Sequence, residues 1–334
     1  MDEDCVKLTS YLSERRPGGT VTSGSLAGLY GDGQIRASIA LRGTGGFLIR
    51  QHLAVGSPRY PSEDLPTVAI GSRPRIKAEL DTLERATLLS GEIDPVGLLD
   101  SPGEATKLTV YFSRQDRVYQ VPAFEVICEL LHRREIAGAT VLAGIDDAFS
   151  RRGRRARLAS REARTPMMVT AIGSGQQIGL VLPEIGDLLR HPLITIEKVR
   201  VCKRDGRLIG PPQAMQGTDA DGRPLWQKLT VYACDSTRHD GRSIHQAISR
   251  RIRAAGIGSV ITLRGLWGFR GDQVPHGDLH IPAVTIVMDA PERIPAAFSA
   301  IDELTARRGL VTSETIAAVR PAPSATQNGV SSTS

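Results

Sequence analysis

Three five-residue stretches share one pattern: Lys7-Leu8-Thr9-Ser10-Tyr11, Lys107-Leu108-Thr109-Val110-Tyr111 and Lys228-Leu229-Thr230-Val231-Tyr232 all read Lys-Leu-Thr-x-Tyr, with starts 100 and 121 residues apart. A second marker follows each: Arg42-Gly43-Thr44-Gly45-Gly46-Phe47, Ala143-Gly144-Ile145-Asp146-Asp147-Ala148-Phe149 and Arg264-Gly265-Leu266-Trp267-Gly268-Phe269. The distance from the repeat lysine to the residue before the first glycine is 35, 36 and 36 positions. A third marker is a proline that opens an apolar run, at Pro66-Thr67-Val68-Ala69-Ile70, Pro166-Met167-Met168-Val169-Thr170-Ala171-Ile172 and Pro282-Ala283-Val284-Thr285-Ile286-Val287. Three markers in one order, three times over, define three tandem copies of one unit.

The second copy shows best what the unit is. Leu108, Val110 and Phe112 alternate as in a strand, and Phe124, Ile127, Cys128 and Leu131 recur on one helical face. Pro122 suits the first turn of that helix and Gly138 its C-terminal stop. A strand from Ala139 to Ala143, a loop, the strand from Pro166, a helix ending near Arg190 and a strand from Ile194 to Val201 complete the order. The third copy repeats it, with a helix over Ile244, Ala247, Ile248 and Ile252 stopped by Gly256, and another from Glu292 to Arg307. The first copy has a weaker helix, broken by Gly24, Gly28 and Gly31.

Strand, helix, strand, strand, helix, strand is the ferredoxin-like βαββαβ order, an α+β fold in which both helices cover one face of a four-stranded sheet. The other face is left open, and three copies around a pseudo-threefold axis would cover one another as a single-chain pseudotrimer. The expected division is residues 1–100, 106–204 and 226–320 for the three repeats, with a linker at 205–225 and a disordered tail at 321–334.

Composition agrees with globular units. Of 334 residues, 40% are hydrophobic, 23% charged and 4% aromatic, which excludes collagen-like, coiled-coil and wholly disordered chains. No apolar run is long enough to span a bilayer, and the acidic start Met1-Asp2-Glu3-Asp4 lacks the basic region of a signal peptide, so a cytoplasmic protein is expected. Cys5, Cys128, Cys202 and Cys234 form no C-x-x-C pair and are read as reduced structural thiols. The net charge of +6 is confined to residues 151–164, where Arg151, Arg152, Arg154, Arg155, Arg157, Arg161 and Arg164 face Glu162 alone. The rest is balanced, so a general nucleic-acid-binding face is not expected.

The opening Lys-Leu-Thr-x-Tyr strand, the Arg-Gly-x-x-Gly-Phe turn, the step Glu63-Asp64-Leu65-Pro66 and the closing Gly309-Leu310-Val311-Thr312 resemble the PII-like proteins of the domain-of-unknown-function 190 family. The resemblance implies trimers that bind small anionic ligands, typically nucleotides, in clefts between subunits and signal through a mobile loop after the second strand. It implies no enzymatic activity and no cofactor, and it points to membrane transporters as partners. Carried onto this chain, the ligand-binding positions are Arg42, Gly43, Gly45, Gly46 and Phe47, then Arg264, Gly265, Gly268 and Phe269. The chemistry is independent of family: glycines let backbone N–H groups approach an anion, and arginines add charge-assisted hydrogen bonds. Tight turns are the other reading of the same glycines. The second copy departs from the pattern, because Ala143 replaces the arginine and Asp146 and Asp147 oppose phosphate.

No Walker-type phosphate loop and no Gly-x-Gly-x-x-Gly between a strand and a helix occurs. His276 and His280 have the spacing of a metal pair, but Pro275, Gly277 and Pro282 exclude a helix there. Ser174 lies in Gly173-Ser174-Gly175 without a complete nucleophile elbow. Trp226 reads as a packing anchor, whereas Trp267 is suited either to packing or to stacking on a base. Two rival functions stay open: an RNA- or acidic-surface-binding adaptor that uses Arg151, Arg152, Arg154, Arg155 and Arg157, and a structural remnant whose ligand sites are lost.

Overall fold

A computed structural model describes residues 5–13, 15–16, 19–20, 37–47, 54–55, 66–74, 85–87, 103–144, 165–189, 192–218, 222, 225–271, 281–306 and 308–317. The main elements are β1 (Cys5–Ser13), β2 (Ala37–Arg42), β3 (Gly45–Phe47), β4 (Pro66–Pro74) and β5 (Arg85–Thr87). Then come β6 (Glu104–Ser113), α1 (Ala123–Arg133), β7 (Gly138–Ala143), β8 (Pro166–Gly173), α2 (Gly175–Leu188) and β9 (Leu193–Arg204). The last unit holds β10 (Leu225–Cys234), α3 (Ile244–Ala254), β11 (Ser259–Arg264), β12 (Trp267–Arg270), β13 (Pro282–Asp289), α4 (Ile294–Leu304) and β14 (Leu310–Ala317).

Strand pairing is antiparallel throughout. In the second unit β8 lies between β7 and β6, and β6 also pairs with β9. The third unit repeats this with β13 between β11 and β10, and β10 beside β14. The strands of residues 1–87 pair in the same order, β4 between β2 and β1, and β1 beside β5. The pairing of β9 with β14 and the meeting of β14 with β5 are among the joints that merge the units into one large sheet.

The repeated pentapeptide explains the layering, because successive side chains in a strand point to opposite faces. Leu108 and Val110 pack under α1 and α2 with Ile127, Leu131, Ile178 and Val181. Leu229 and Val231 do the same under α3 and α4 with Ile248, Ile252, Ala297 and Ile301. Lys, Thr and Tyr of the second and third copies of the pattern look the other way. There a separate core forms from Ile39, Leu41 and Val68 of the first segment, Tyr111, Leu142 and Met168 of the second, and Ile261, Leu263, Val284 and Ile286 of the third. Residues of all three segments thus meet on the sheet face without helices.

Local signals set the helix ends. Ser174 accepts from the Gln177 N–H at 3.1 Å while the Gln177 side chain accepts from the Ser174 N–H at 3.0 Å, a complete capping box. The Ser174 hydroxyl is therefore occupied with starting α2. Gly138 does not stop α1, contrary to the sequence reading. Glu135 takes the left-handed conformation (φ 57°) that closes the helix, and Gly138 begins β7. Gly256 (φ 65°) ends α3 as expected. The helix expected from Glu292 starts as a 3-10 turn at Pro291–Arg293 and becomes α4.

The expected linker is strapped to the sheet where it is described. Its first residues fold back as Arg207–Leu208 against β9, the Arg200 side chain donates to the Pro211 carbonyl at 2.8 Å, and Gln227 donates to that of Gln213 at 3.1 Å.

One buried histidine has a consequence for acid stability. His245 on α3 lies among Ile244, Ile248 and Ile252, with Nδ1 2.5 Å from the Thr285 hydroxyl, and burial lowers its pKa to about 4, against a small opposing effect of Asp235. Below its ordinary value near 6.5 the unfolded chain takes up a proton that the folded chain refuses. The contribution is complete above that value and is lost as pH falls toward 4, by about 3 kcal/mol. Urea unfolding at pH 7 and pH 4 should show this loss, and His245→Gln should shrink it by that amount.

Candidate functional site

The glycine-rich turns serve first as joints between units. β12, which carries Trp267, Gly268 and Phe269, adds to the edge of β7 in the second unit, with Val141 opposite Trp267, Thr140 opposite Gly268 and Ala139 opposite Phe269. β3 adds in the same way to β11 of the third unit, with Phe47 opposite Val260 and Gly46 opposite Ile261. Backbone bonds from Thr44 N to Thr262 O (2.7 Å) and from Leu266 N to Val141 O (2.8 Å) extend both joints.

The aromatic residues of these turns are knobs in the neighbouring core. Phe269 joins the second unit's core and meets His132 edge-on at 5.1 Å, and Trp267 meets Phe124 at 5.8 Å. Phe47 sits in the third unit's core under the Arg253 guanidinium, 5.4 Å from the ring centroid. Trp267 is therefore a packing residue, and so are the sequence candidates Phe47 and Phe269.

The glycines are explained by close approach. A Cβ on Gly46, which has φ +131°, would lie 2.1 Å from the Val260 carbonyl oxygen. On Gly268 it would lie 2.3 Å from that of Ala139, and on Gly265 2.6 Å from Pro282 Cγ. Gly43 is buried, Gly45 pairs with Thr262, and Arg42 is exposed. Arg264 points to Asp235, Nε to Oδ2 3.2 Å. The arginines Arg151, Arg152, Arg154, Arg155 and Arg157, together with His276, His280 and the tail, lie outside the described residues.

Behind the β7–β12 joint the two units enclose a cleft of about 380 Å³. Ala137 to Thr140, Thr170 and Ile172 form its floor in the second unit, and Tyr232, Ala233 and Cys234 its wall in the third. Of the sequence candidates it uses Gly268 and Phe269. Its charged groups were not foreseen: Arg204 and Asp205 at the end of β9, Arg270 after the glycine turn, and Arg308 before β14. Arg270 Nε lies 3.1 Å from Asp205 Oδ1, and the Nε of Arg204 is buried without a hydrogen-bond partner. Three guanidiniums against one carboxylate leave the cleft cationic, in a volume suited to a small molecule. Only the position of these arginines at strand ends sets them apart in the sequence, and solvated arginines occupy such places too.

Two of the thiols, Cys128 and Cys202, are remote from reactivity. Burial raises Cys202 to about 12 and pushes Cys128 well above the ordinary thiol range. Among the described residues no three His, Cys, Asp or Glu side chains stand close enough to share a metal ion, and no helix is long and apolar enough to cross a membrane.

No curated protein matches the chain. One family does, DUF190 ("Uncharacterized ACR, COG1993"), at residues 105–201 and again at 226–318, two segments rather than the three expected from the repeats. These are the units on either side of the cationic cleft, they cover more than half of the chain, and the chain belongs to the DUF190 family.

Proposed function

We propose that this chain is a non-enzymatic PII-like regulatory protein, a single-chain pseudotrimer of ferredoxin-like units that binds a small anionic ligand, a nucleotide, between its second and third units. The observation that carries the reading is the cleft, with Arg204, Arg270 and Arg308 against Asp205 in about 380 Å³. Phosphate oxygens would replace water on guanidiniums that the fold already holds together. The first segment supports the pseudotrimer through its strand order and its share of the common core. Ligand occupancy would reach the outside through Gly271, where the described part of the loop after β12 ends, and a membrane transporter is the partner class that the regulatory role suggests.

Calorimetric titration with ATP, ADP and AMP tests the site. Binding to the wild type should weaken about 10- to 100-fold in Arg204→Ala and in Arg308→Ala, the scale of a lost charge-assisted hydrogen bond, with unfolding midpoints little changed. The absence of nucleotide binding, or binding unaffected by either substitution, would overturn the reading.

A further inference from the structure

The cleft between the second and third units has two unlike ends. Strands β9, β14, β10 and β13 stand side by side in that order along one wall, so β9 and β13 lie three strand steps, roughly 14 Å, apart. Among the described residues, the charged groups that line the cleft gather on the β9 side. Arg204 and Asp205 stand at the end of β9, Arg308 precedes β14, and Arg270 reaches from β12 to Asp205. The other side is uncharged. Tyr232 and Cys234 of β10 and Pro282 of β13 form it, Gly268 backs onto Pro282, and Thr140 and Thr237 add hydroxyls.

Asp205 sets how much negative charge the first end accepts. Three guanidiniums and one carboxylate leave two net positive charges there. The carboxylate is engaged by Arg270, whose Nε lies 3.1 Å from Oδ1 and whose Nη2 donates to the same oxygen. The backbone holds it in place: the Asp205 N–H donates to the Gly309 carbonyl at 2.9 Å, and φ is 52° in the two-residue turn after β9. Arg204 and Arg308 are left to face a ligand. Their two charges match one phosphate monoester, which carries roughly −1.5 to −2 at pH 7. A longer phosphate chain would reach Arg270 only by standing beside the Asp205 carboxylate, and like charges brought together there repel.

Given the nucleotide reading of the cleft, we infer that its ligand is a nucleoside monophosphate, with the phosphate at Arg204 and Arg308 and the base at the uncharged end beside Cys234. Asp205 is the residue that turns away di- and triphosphates. The flat faces of a base suit Tyr232 and Pro282, and its polar edge suits the threonine hydroxyls.

Calorimetric titration separates this inference from the reading on which it rests. The wild type should bind AMP about 10-fold more tightly than ATP. Asp205→Asn keeps a side chain that tolerates positive φ, and there ATP should gain about 10-fold while AMP gains little, so that the order disappears. Alkylation of the half-buried Cys234 by iodoacetamide, read from the mass of its peptide, locates the base. AMP should slow it, whereas inorganic phosphate, at a concentration that displaces AMP, should not. ATP binding as tightly as AMP in the wild type overturns the inference and leaves the nucleotide reading standing. So does an order unchanged in Asp205→Asn, or an alkylation rate indifferent to AMP. Failure of every nucleotide to bind overturns both.

Discussion

Lys107→Met will cost the protein about 4 kcal/mol of stability, more than any surface substitution, because it takes from the buried Glu314 and the partly buried Glu197 the cation they share. Glu314 is under a tenth exposed, so its charge cannot turn to solvent and is left with Lys228, 3.2 Å away. Burial is the largest single influence on the Glu314 carboxyl and pushes its pKa up, yet Lys107 and Lys228 together outweigh burial and hold it below the ordinary carboxylate value. A folded-state value below the unfolded one gives stability that is present above the unfolded pKa and is lost as pH falls through the folded one. Removing Lys107 takes away a lowering influence and leaves burial in place. Acid unfolding of Lys107→Met should therefore begin at higher pH than in the wild type, in addition to the loss at neutral pH. Urea titrations from pH 7 downward read both effects. A neutral-pH loss under 1 kcal/mol would show that the ion pairs of Lys107 are dispensable. The cycle with Glu314→Gln separates the pair from its parts, since the double variant should lose less than the sum of the singles.

The pentapeptide made the fold legible because it carries two patterns at once. Its Leu and x positions keep the period of a strand packed on helices, and its Lys, Thr and Tyr positions mark a face buried by something else. That something is the neighbouring units, so tandem copies and an uncovered sheet face led to one architecture. The ends of elements were less legible. Glu135 closes α1 in a conformation usually left to glycine, and no local signal in the sequence marks it.

The site was legible only in its neighbourhood. Arg-Gly-x-x-Gly-Phe pointed to the boundary between units, but a glycine that admits a ligand and one that admits a neighbouring strand look alike in a sequence. Gly268 lies at the cleft and also faces the backbone of β7, and only the fold shows that the second contact sets its size. Arg204 and Arg308 are 104 residues apart and come together through the pairing of Arg204 with Leu310 across two units. Long-range pairing of this kind leaves no periodic trace. The first segment shows a complementary limit, since its strands pair in the repeated order while the family match covers the other two.

Gly268→Val will separate the second and third units before it touches any ligand. Its Cβ would meet the Ala139 carbonyl oxygen at 2.3 Å and Pro282 Cγ at 3.0 Å; the first is backbone of a paired strand and cannot swing aside. β12 would have to leave β7, taking four paired positions and both knobs, Trp267 and Phe269, out of the second unit's core. Losing buried aromatic side chains costs about 3–5 kcal/mol each in other cores, and partial retention of the joint brings the expected loss here to about 4 kcal/mol. Trp267 reports it directly, because its indole moves from the edge of Phe124 into water and its emission shifts to the red. Gly186→Ala is the control: nothing lies within 4 Å of a Cβ there, the residue is inside α2, and a gain of up to about 1 kcal/mol is expected. If Gly268→Val instead kept the wild-type midpoint and emission and lost nucleotide binding alone, the glycine would be part of the ligand cradle, and the joint between the units would rest on the β9–β14 pairing.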